Sequence, residues 1–223
     1  MQNTNLVILP SRSRPEKVAE AVEYLLDLST ISDICVAIDD DQSELYPRIE
    51  DVIYEVNPRL RMNGTLNLVA TKYADKYKTI FFLGDDHHVR TKAWDEKLYE
   101  PIKARGYGLA YGDDKLQGEK LATAVMMSTN IISAIGFMAP PKLIHLYMDN
   151  FWMSLGQALN CLDYVPDVVI EHMHYAAGKA PIDEQYAEVN SKQMYETDRE
   201  TYIEYVKTDL KTDLEKIIKA VMV

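Results

Sequence analysis

In the stretch TIFFLGDDHHVRTKAW (79–94) a hydrophobic run closes at Gly84, and Asp85, Asp86, His87 and His88 then stand side by side. Adjacent carboxylates repel and resist leaving water unless a cation or a substrate compensates them. Oxygen-rich clusters suit hard divalent cations such as Mg²⁺ or Mn²⁺, and added imidazoles move the preference toward Mn²⁺. A metal held by few protein groups completes its shell with phosphate oxygens and water, so a diphosphate is the expected companion. A polar turn after a strand, where Asp and Gly are common, is the plain alternative, and the two histidines weigh against it.

Other polar clusters also follow apolar runs: Ser11 and Arg12 after NLVILP, Asp39, Asp40 and Asp41 after ICVAI, and Gly112, Asp113 and Asp114 after YGLAY. In EHMH, a strand would point His172 and His174 to the same face. Asp149 lies among Leu146, Tyr147, Phe151 and Trp152 in a pattern that predicts a mid-helix position, and Lys179 lies in the glycine-containing AAGKAPID.

The elements that must position these residues alternate. Strands are predicted over 5–10, 33–41, 79–84, 107–114, 121–128 and 163–175. A first helix begins at a capping box of Ser13 and Glu16 around Pro15, and puts Val18, Ala21, Val22, Leu25 and Leu26 on one face. Leu45, Ile49, Val52, Ile53 and Val56 fall at helical spacing, which predicts a helix over 43–56. Further helices are predicted within 63–77, over 92–104, in TNIISAIGF, and over 142–159 after Pro140 and Pro141. A charged, tyrosine-rich helical tail runs from about Pro181, and its Tyr186, Tyr195, Tyr202 and Tyr205 read as packing either against the domain or against a second subunit, the latter in a homo-oligomer. Such alternation implies βαβ units and a mainly parallel sheet, with ligands outside the carboxyl ends of its strands.

The 223 residues, 47% hydrophobic, suffice for one large domain, predicted over 1–180, with a helical extension over 181–223. A net charge of -11 argues against broad binding to nucleic acid or anionic membrane. Cys35 and Cys161 sit in apolar segments and read as buried thiols of a reducing compartment. With no basic leader and no run near the ~20 apolar residues of a membrane span, the expectation is a cytoplasmic protein. No GxGxxG, GxxxxGK[ST] or G-x-S-x-G occurs, so phosphate must be held by metal and side chains, and acyl chemistry lacks support.

The order VILPSRSRP, VAIDDD, NGTLNLVA, FFLGDDHH, LYMDNFW, IEHMHY, covering about 5–186, resembles a GT-A fold nucleotide-sugar glycosyltransferase of the small family-2-like kind, bacterial or phage in type. The resemblance implies a single GT-A-like (Rossmann-like) α/β domain. It places Pro10, Ser11, Arg12 and Asp39 or Asp40 on the nucleoside. Its DXD motif maps to GDDH, with His87 at the third position in place of Asp, so that Asp86 or His87 is the main metal ligand and Asp85 lies near the ribose. It brings His172, with His174 alongside, to the metal as well. Asp149 becomes the base of an inverting transfer, and Asp113, Asp114, Trp152 and Lys179 face the sugar or acceptor. The implied cofactor is Mn²⁺ or Mg²⁺ and the donor a nucleoside-diphosphate sugar, UDP-linked by preference. The acceptor would be a glycan, a protein or a hydroxylated DNA base, reached in a bacterial or phage-infected cytoplasm. Two other readings share the residues: a sugar-phosphate nucleotidyltransferase, disfavoured because PSRSRP lacks glycines, and a non-catalytic nucleotide-sugar binding protein, suggested by His87.

Overall fold

A computed structural model describes residues 3–179 and 184–221. Its centre is β1 (Asn5–Ser11), buried along its whole length and paired in parallel with β2 (Ser32–Asp39) on one side and β4 (Thr79–Phe82) on the other. Strands covered on both faces can be continuously apolar, which is why NLVILP and DICVAI lack alternation. β3 (Val52–Asn57) adds in parallel to β2. Beyond β4 the sheet turns mixed: β7 (Val125–Ser128) runs antiparallel to both β4 and β6 (Leu109–Asp113), β8 (Leu162–His172) is parallel to β6, and β5 (His87–Val89) pairs antiparallel with β8. The order is β3-β2-β1-β4-β7-β6-β8-β5. β1, β2, β3, β4, β6 and β8 therefore end on one rim.

Helices cover both faces. α1 (Pro15–Leu28) and α3 (Trp94–Arg105) bury Val18, Leu25, Trp94 and Leu98 against one. α2 (Arg61–Tyr73), α4 (Thr129–Ile135) and α5 (Met148–Ala158) bury Leu66, Val69, Ile131, Phe151 and Leu155 against the other. The tail forms α6 (Glu184–Val189), α7 (Lys192–Thr208) and α8 (Leu210–Val221). It joins the second core: Tyr205 meets Phe137 and Phe151 edge-on, and Ile217 is fully buried. The boundary expected between 180 and 181 lies outside the described residues.

Four local expectations give way. The helix predicted over 43–56 is instead a 3-10 stretch, Asp40–Leu45, followed by β3. Val52, Ile53, Tyr54 and Val56 are β-branched or aromatic and suit a pleated edge, a preference that short apolar spacing does not reveal. The capping box does not form: Ser13 adopts φ 59°, donates to Gln42, and leaves Pro15 to open α1 uncapped. The helix predicted from 142 begins only at Met148, after Tyr147 at φ 65°. The last strand ends at His172 rather than Tyr175.

Candidate functional site

The strand ends surround a cavity of about 330 Å³. On its sheet side, Ser11 Oγ donates to Asp85 Oδ2 at 2.7 Å and lies 3.0 Å from the Tyr46 hydroxyl, while Arg14 Nη1 donates to Asp85 Oδ1 at 2.9 Å. Burial raises the Asp85 carboxyl against the pull of Arg14. Arg12 grips Asp41 with both Nη atoms at 2.7 and 2.8 Å and reaches Asp39 at 2.6 Å. Its guanidinium pKa is raised, chiefly by Asp41. Pro10, Ser11, Arg12, Asp39 and Asp85 line the cavity, whereas Asp40 opens the 3-10 turn, is exposed and does not.

Behind this wall the β4 to β5 turn builds a carboxylate-imidazole group. His87 N donates to the Gly84 carbonyl at 3.1 Å. A Cβ on Gly84 would come within 2.8 Å of His87 Nδ1 and 2.9 Å of an Asp86 oxygen, so a larger residue here would push these two side chains from their places. The β5/β8 register sets His87 directly opposite His172, and their rings stack at 3.9 Å. Met173 N donates to the Asp86 carbonyl at 2.7 Å, tying the turn to the end of β8. One ligand atom from each of Asp86, His87 and His172 lies within 4.8 Å of the others. Asp86 carries one oxygen 3.1 Å from His87 Nδ1 and the other 3.3 Å from His172 Nε2. Burial opposes the Asp86 charge, yet His172 and His87 hold its pKa well below the usual carboxylate range. Burial, aided by His87, lowers the His172 pKa and favours the neutral imidazole that a metal needs.

His87 Nε2 and His172 Nδ1 are buried with no hydrogen bond, and His87 Nδ1 faces Asp86 at 3.1 Å without the alignment of one. Each such orphan costs about 1–3 kcal/mol, and a bound cation would engage one nitrogen of each ring. The sequence left Asp86 and His87 as alternatives, and the structure brings both together with His172. His174 lines the cavity with its ring 4.9 Å from that of His172, but it stands outside this group. β8 ends before it, so strand alternation no longer aims it.

The opposite wall comes from α5 and the segment before it. Asp149 lies in the first turn of α5 rather than mid-helix, half-buried and facing the cavity, with Oδ1 accepting from Asn150 N at 2.8 Å. Burial raises its carboxyl pKa above the ordinary value. Trp152 lines the cavity but is almost wholly buried: its indole N–H donates to the Met138 carbonyl at 2.8 Å and its ring meets Phe82 at 5.3 Å. His145 also lines this wall, its pKa pushed by burial down to about 4.

Asp113, Asp114 and Lys179, expected at the sugar or acceptor, do not line the cavity. Asp113 pairs with Lys115 at 2.7 Å, and Lys179 with Glu171 at 2.9 Å. Asp114 accepts from the backbone N–H groups of Leu116, Gln117 and Gly118 and from Thr123, closing the turn that brings Leu116 and Gln117 to the cavity.

Sequence reasoning missed Arg59, Arg61, His145 and Tyr186 as cavity residues. Tyr186 of α6 donates its hydroxyl to Asp86 Oδ2, and the Arg14 guanidinium lies 4.5 Å over its ring. Glu188 of the same helix accepts from Arg59 Nη2 at 3.0 and 3.1 Å and from Arg61. The two arginines follow β3, so reading 52–57 as a strand would have put them on the ligand rim.

No protein-family model and no curated protein matches the chain. Solved structures match its fold. Glucosyl-3-phosphoglycerate synthase from Mycobacterium tuberculosis, in complex with Mg²⁺ and UDP, aligns at TM-score 0.59 and 14% identity over 87% of this chain and 78% of that one. Mannosyltransferase PcManGT from Pyrobaculum calidifontis, in complex with GDP-Man and Mn²⁺, aligns at 0.58 and 10% over 99% and 74%. S. aureus TarS aligns at 0.56 and 9% over 94% of this chain, which spans 44% of that longer protein. At such identities the likeness is one of architecture, and the chain has the GT-A fold of nucleotide-diphospho-sugar transferases.

Proposed function

We propose that the protein is a metal-dependent glycosyltransferase that moves a sugar from a nucleoside-diphosphate donor, UDP-linked by preference, to an acceptor hydroxyl with inversion. The observation that carries this reading is the Asp86, His87 and His172 group on the rim of a GT-A sheet, one ligand atom of each within 4.8 Å of the others and His87 Nε2 buried with no hydrogen bond. One carboxylate with two imidazoles fits Mn²⁺ better than Mg²⁺, which prefers oxygen alone. Structures of this fold hold Mn²⁺ or Mg²⁺ with UDP or GDP-Man, which supports the same cofactor and donor class here.

Asp86, His87 and His172 would hold the cation. When bound it supplies charge to offset the negative charge developing on the departing diphosphate. In this reading Ser11 and Asp39 would meet the nucleoside, with the guanidinium groups of Arg14 and Arg59, paired with Asp85 and Glu188, at the same cavity. The Asp149 carboxylate takes the proton of the attacking hydroxyl, its basicity strengthened by the burial that raises its pKa. Asp149 sits in the first helical turn, where a carboxylate is stabilised and its side chain is fixed relative to the strand ends. The net charge of -11 favours a glycan or protein acceptor over a hydroxylated DNA base. Among the described residues no helix is long and apolar enough to cross a membrane, and a cytoplasmic site of action belongs to the proposal.

The test is to incubate the chain with Mn²⁺ and UDP-, GDP-, CDP- and dTDP-sugars and measure nucleoside diphosphate released, with and without oligosaccharide acceptors. Release from one donor, lost on chelation, is expected. Pyrophosphate formed from a nucleoside triphosphate and a sugar phosphate would move the assignment to a nucleotidyltransferase, and binding without any turnover would move it to a binding protein.

A further inference from the structure

Asp198 of α7 is fully buried, and its carboxylate accepts from three consecutive backbone N–H groups: Ile144 at 2.9 Å, His145 at 2.8 Å and Leu146 at 2.7 Å. A buried carboxylate is tolerated only when hydrogen bonds of this kind replace its water. The donors belong to the segment whose sequence reads as helix and whose backbone is not helical. Their N–H groups go to Asp198 instead, Tyr147 takes φ 65°, and α5 starts one residue later with Asp149 in its first turn.

The same face of α7 holds the segment at two further points. Tyr195 and Tyr202 place their rings 5.5 and 5.6 Å from that of Tyr147. The Tyr202 hydroxyl donates to the Asn150 carbonyl at 3.2 Å and lies 2.6 Å from Ser154 Oγ. Positions 195, 198 and 202 are three and four apart, the spacing of one helical face. From the other side, Asn63 of α2 donates its amide to the Pro140 and Leu143 carbonyls at 2.7 and 2.8 Å. The segment is clamped between two helices distant in sequence.

The geometry points to Asp198 as a positioning residue: from the C-terminal helices it fixes residues 144–146 and thereby holds His145 and Asp149 against the cavity. This rests on the glycosyltransferase reading for the role of Asp149. Asp198 itself is turned away from the cavity toward backbone and acts through the segment it binds. An amide in its place keeps one acceptor oxygen and turns an NH₂ toward N–H donors, so the clamp loosens while the shape is kept. Displacement of a reacting group by about 1 Å can cost ~100-fold in rate without touching the ligand.

The test compares full-length wild type, Asp198→Asn and Tyr202→Phe by amide hydrogen exchange, by calorimetric binding of UDP with Mn²⁺, and by Mn²⁺-dependent hydrolysis of UDP-glucose. For Asp198→Asn the expected result is exchange at 144–146 faster by about 10-fold or more with β1 unchanged. UDP affinity should stay within about 3-fold and kcat should fall by about 30-fold or more. Wild-type kcat, or a loss that merely follows UDP affinity or global stability, overturns the proposal. If Asp198→Asn does not fold, Tyr202→Phe decides: a kcat reduced by roughly 3- to 10-fold at unchanged UDP affinity supports the clamp, and an unchanged kcat overturns it. If the wild-type chain hydrolyses no donor, that failure belongs to the glycosyltransferase reading alone. Exchange at 144–146 then decides the clamp, upheld if either substitution speeds it and overturned if neither does.

Discussion

The two walls of one cavity are held by different means. Ser11, Asp39 and Asp85 stand at the ends of adjacent parallel strands, and the sheet's backbone ladder fixes them within a residue or two of their sequence signal. His145, Asp149 and Tyr186 are held by the tail: Asp198 lies 54 positions from Ile144, and Tyr186 lies 100 from Asp86. The first wall cannot move without breaking the sheet. The second can move by local opening of helices that share fewer ladder bonds. On the proposed function, metal and nucleotide chemistry would fall to the rigid wall, and proton transfer to the adjustable one.

That contrast can be broken most severely at the group joining the walls. Asp86→Asn removes the carboxylate between His87 and His172, and Mn²⁺-dependent turnover should fall by ~1,000-fold or more with UDP binding no longer responsive to Mn²⁺. Steady-state kinetics with calorimetry checks this. Asp149→Asn should separate the walls cleanly, with turnover down by about 100- to 10,000-fold and UDP–Mn²⁺ affinity retained. The wild-type pH profile adds a sign. A base acts when deprotonated, and burial raises the Asp149 pKa, so kcat should decline on the acid side at a higher pH than an ordinary carboxylate would give.

Much of the rigid wall was legible because strand ends announce themselves: an apolar run and then abruptly polar or acidic residues, after a proline before Ser11 and a glycine before Asp85. That signal located Ser11, Asp39, Asp85, Asp86 and His87, and the EHMH pattern located His172. It failed where local pattern and tertiary contact disagree. Val52, Ile53 and Val56 fit a helix by spacing and a strand by side-chain shape, and pairing with β2 decides for the strand. Residues 142–147 fit a helix until Asp198 captures their N–H groups, which no local signal shows. Tyr186 looks like a packing residue of the tail, and only the return of α6 over the rim gives its hydroxyl to Asp86. His174 was placed by a strand predicted three residues too long.

Two smaller effects sharpen the comparison on the adjustable wall. The folded state holds the His145 pKa at about 4, whereas the unfolded chain takes up that proton near 6.5. Neutral His145 therefore contributes full stability above pH 6.5, and the contribution is lost as the pH falls toward 4. His145→Gln should flatten that part of the stability profile by on the order of 2 kcal/mol after allowance for its partial exposure, as read by denaturant unfolding across pH. Glu188→Gln frees Arg59 and Arg61 from a largely solvated contact, so stability should change by less than about 1 kcal/mol, visible as a small shift in thermal unfolding.

The most direct measurement of the central claim is a thermal-unfolding panel of the wild-type chain with UDP, GDP, CDP and dTDP, each with Mn²⁺, with Mg²⁺ and with neither. Ligands that bind only the folded state raise the unfolding temperature. The account predicts that one nucleoside diphosphate, UDP first, stabilises the chain with Mn²⁺ far more than without it, and that Asp86→Asn abolishes the difference. A wild-type chain that responds to no nucleotide and metal together contradicts the account.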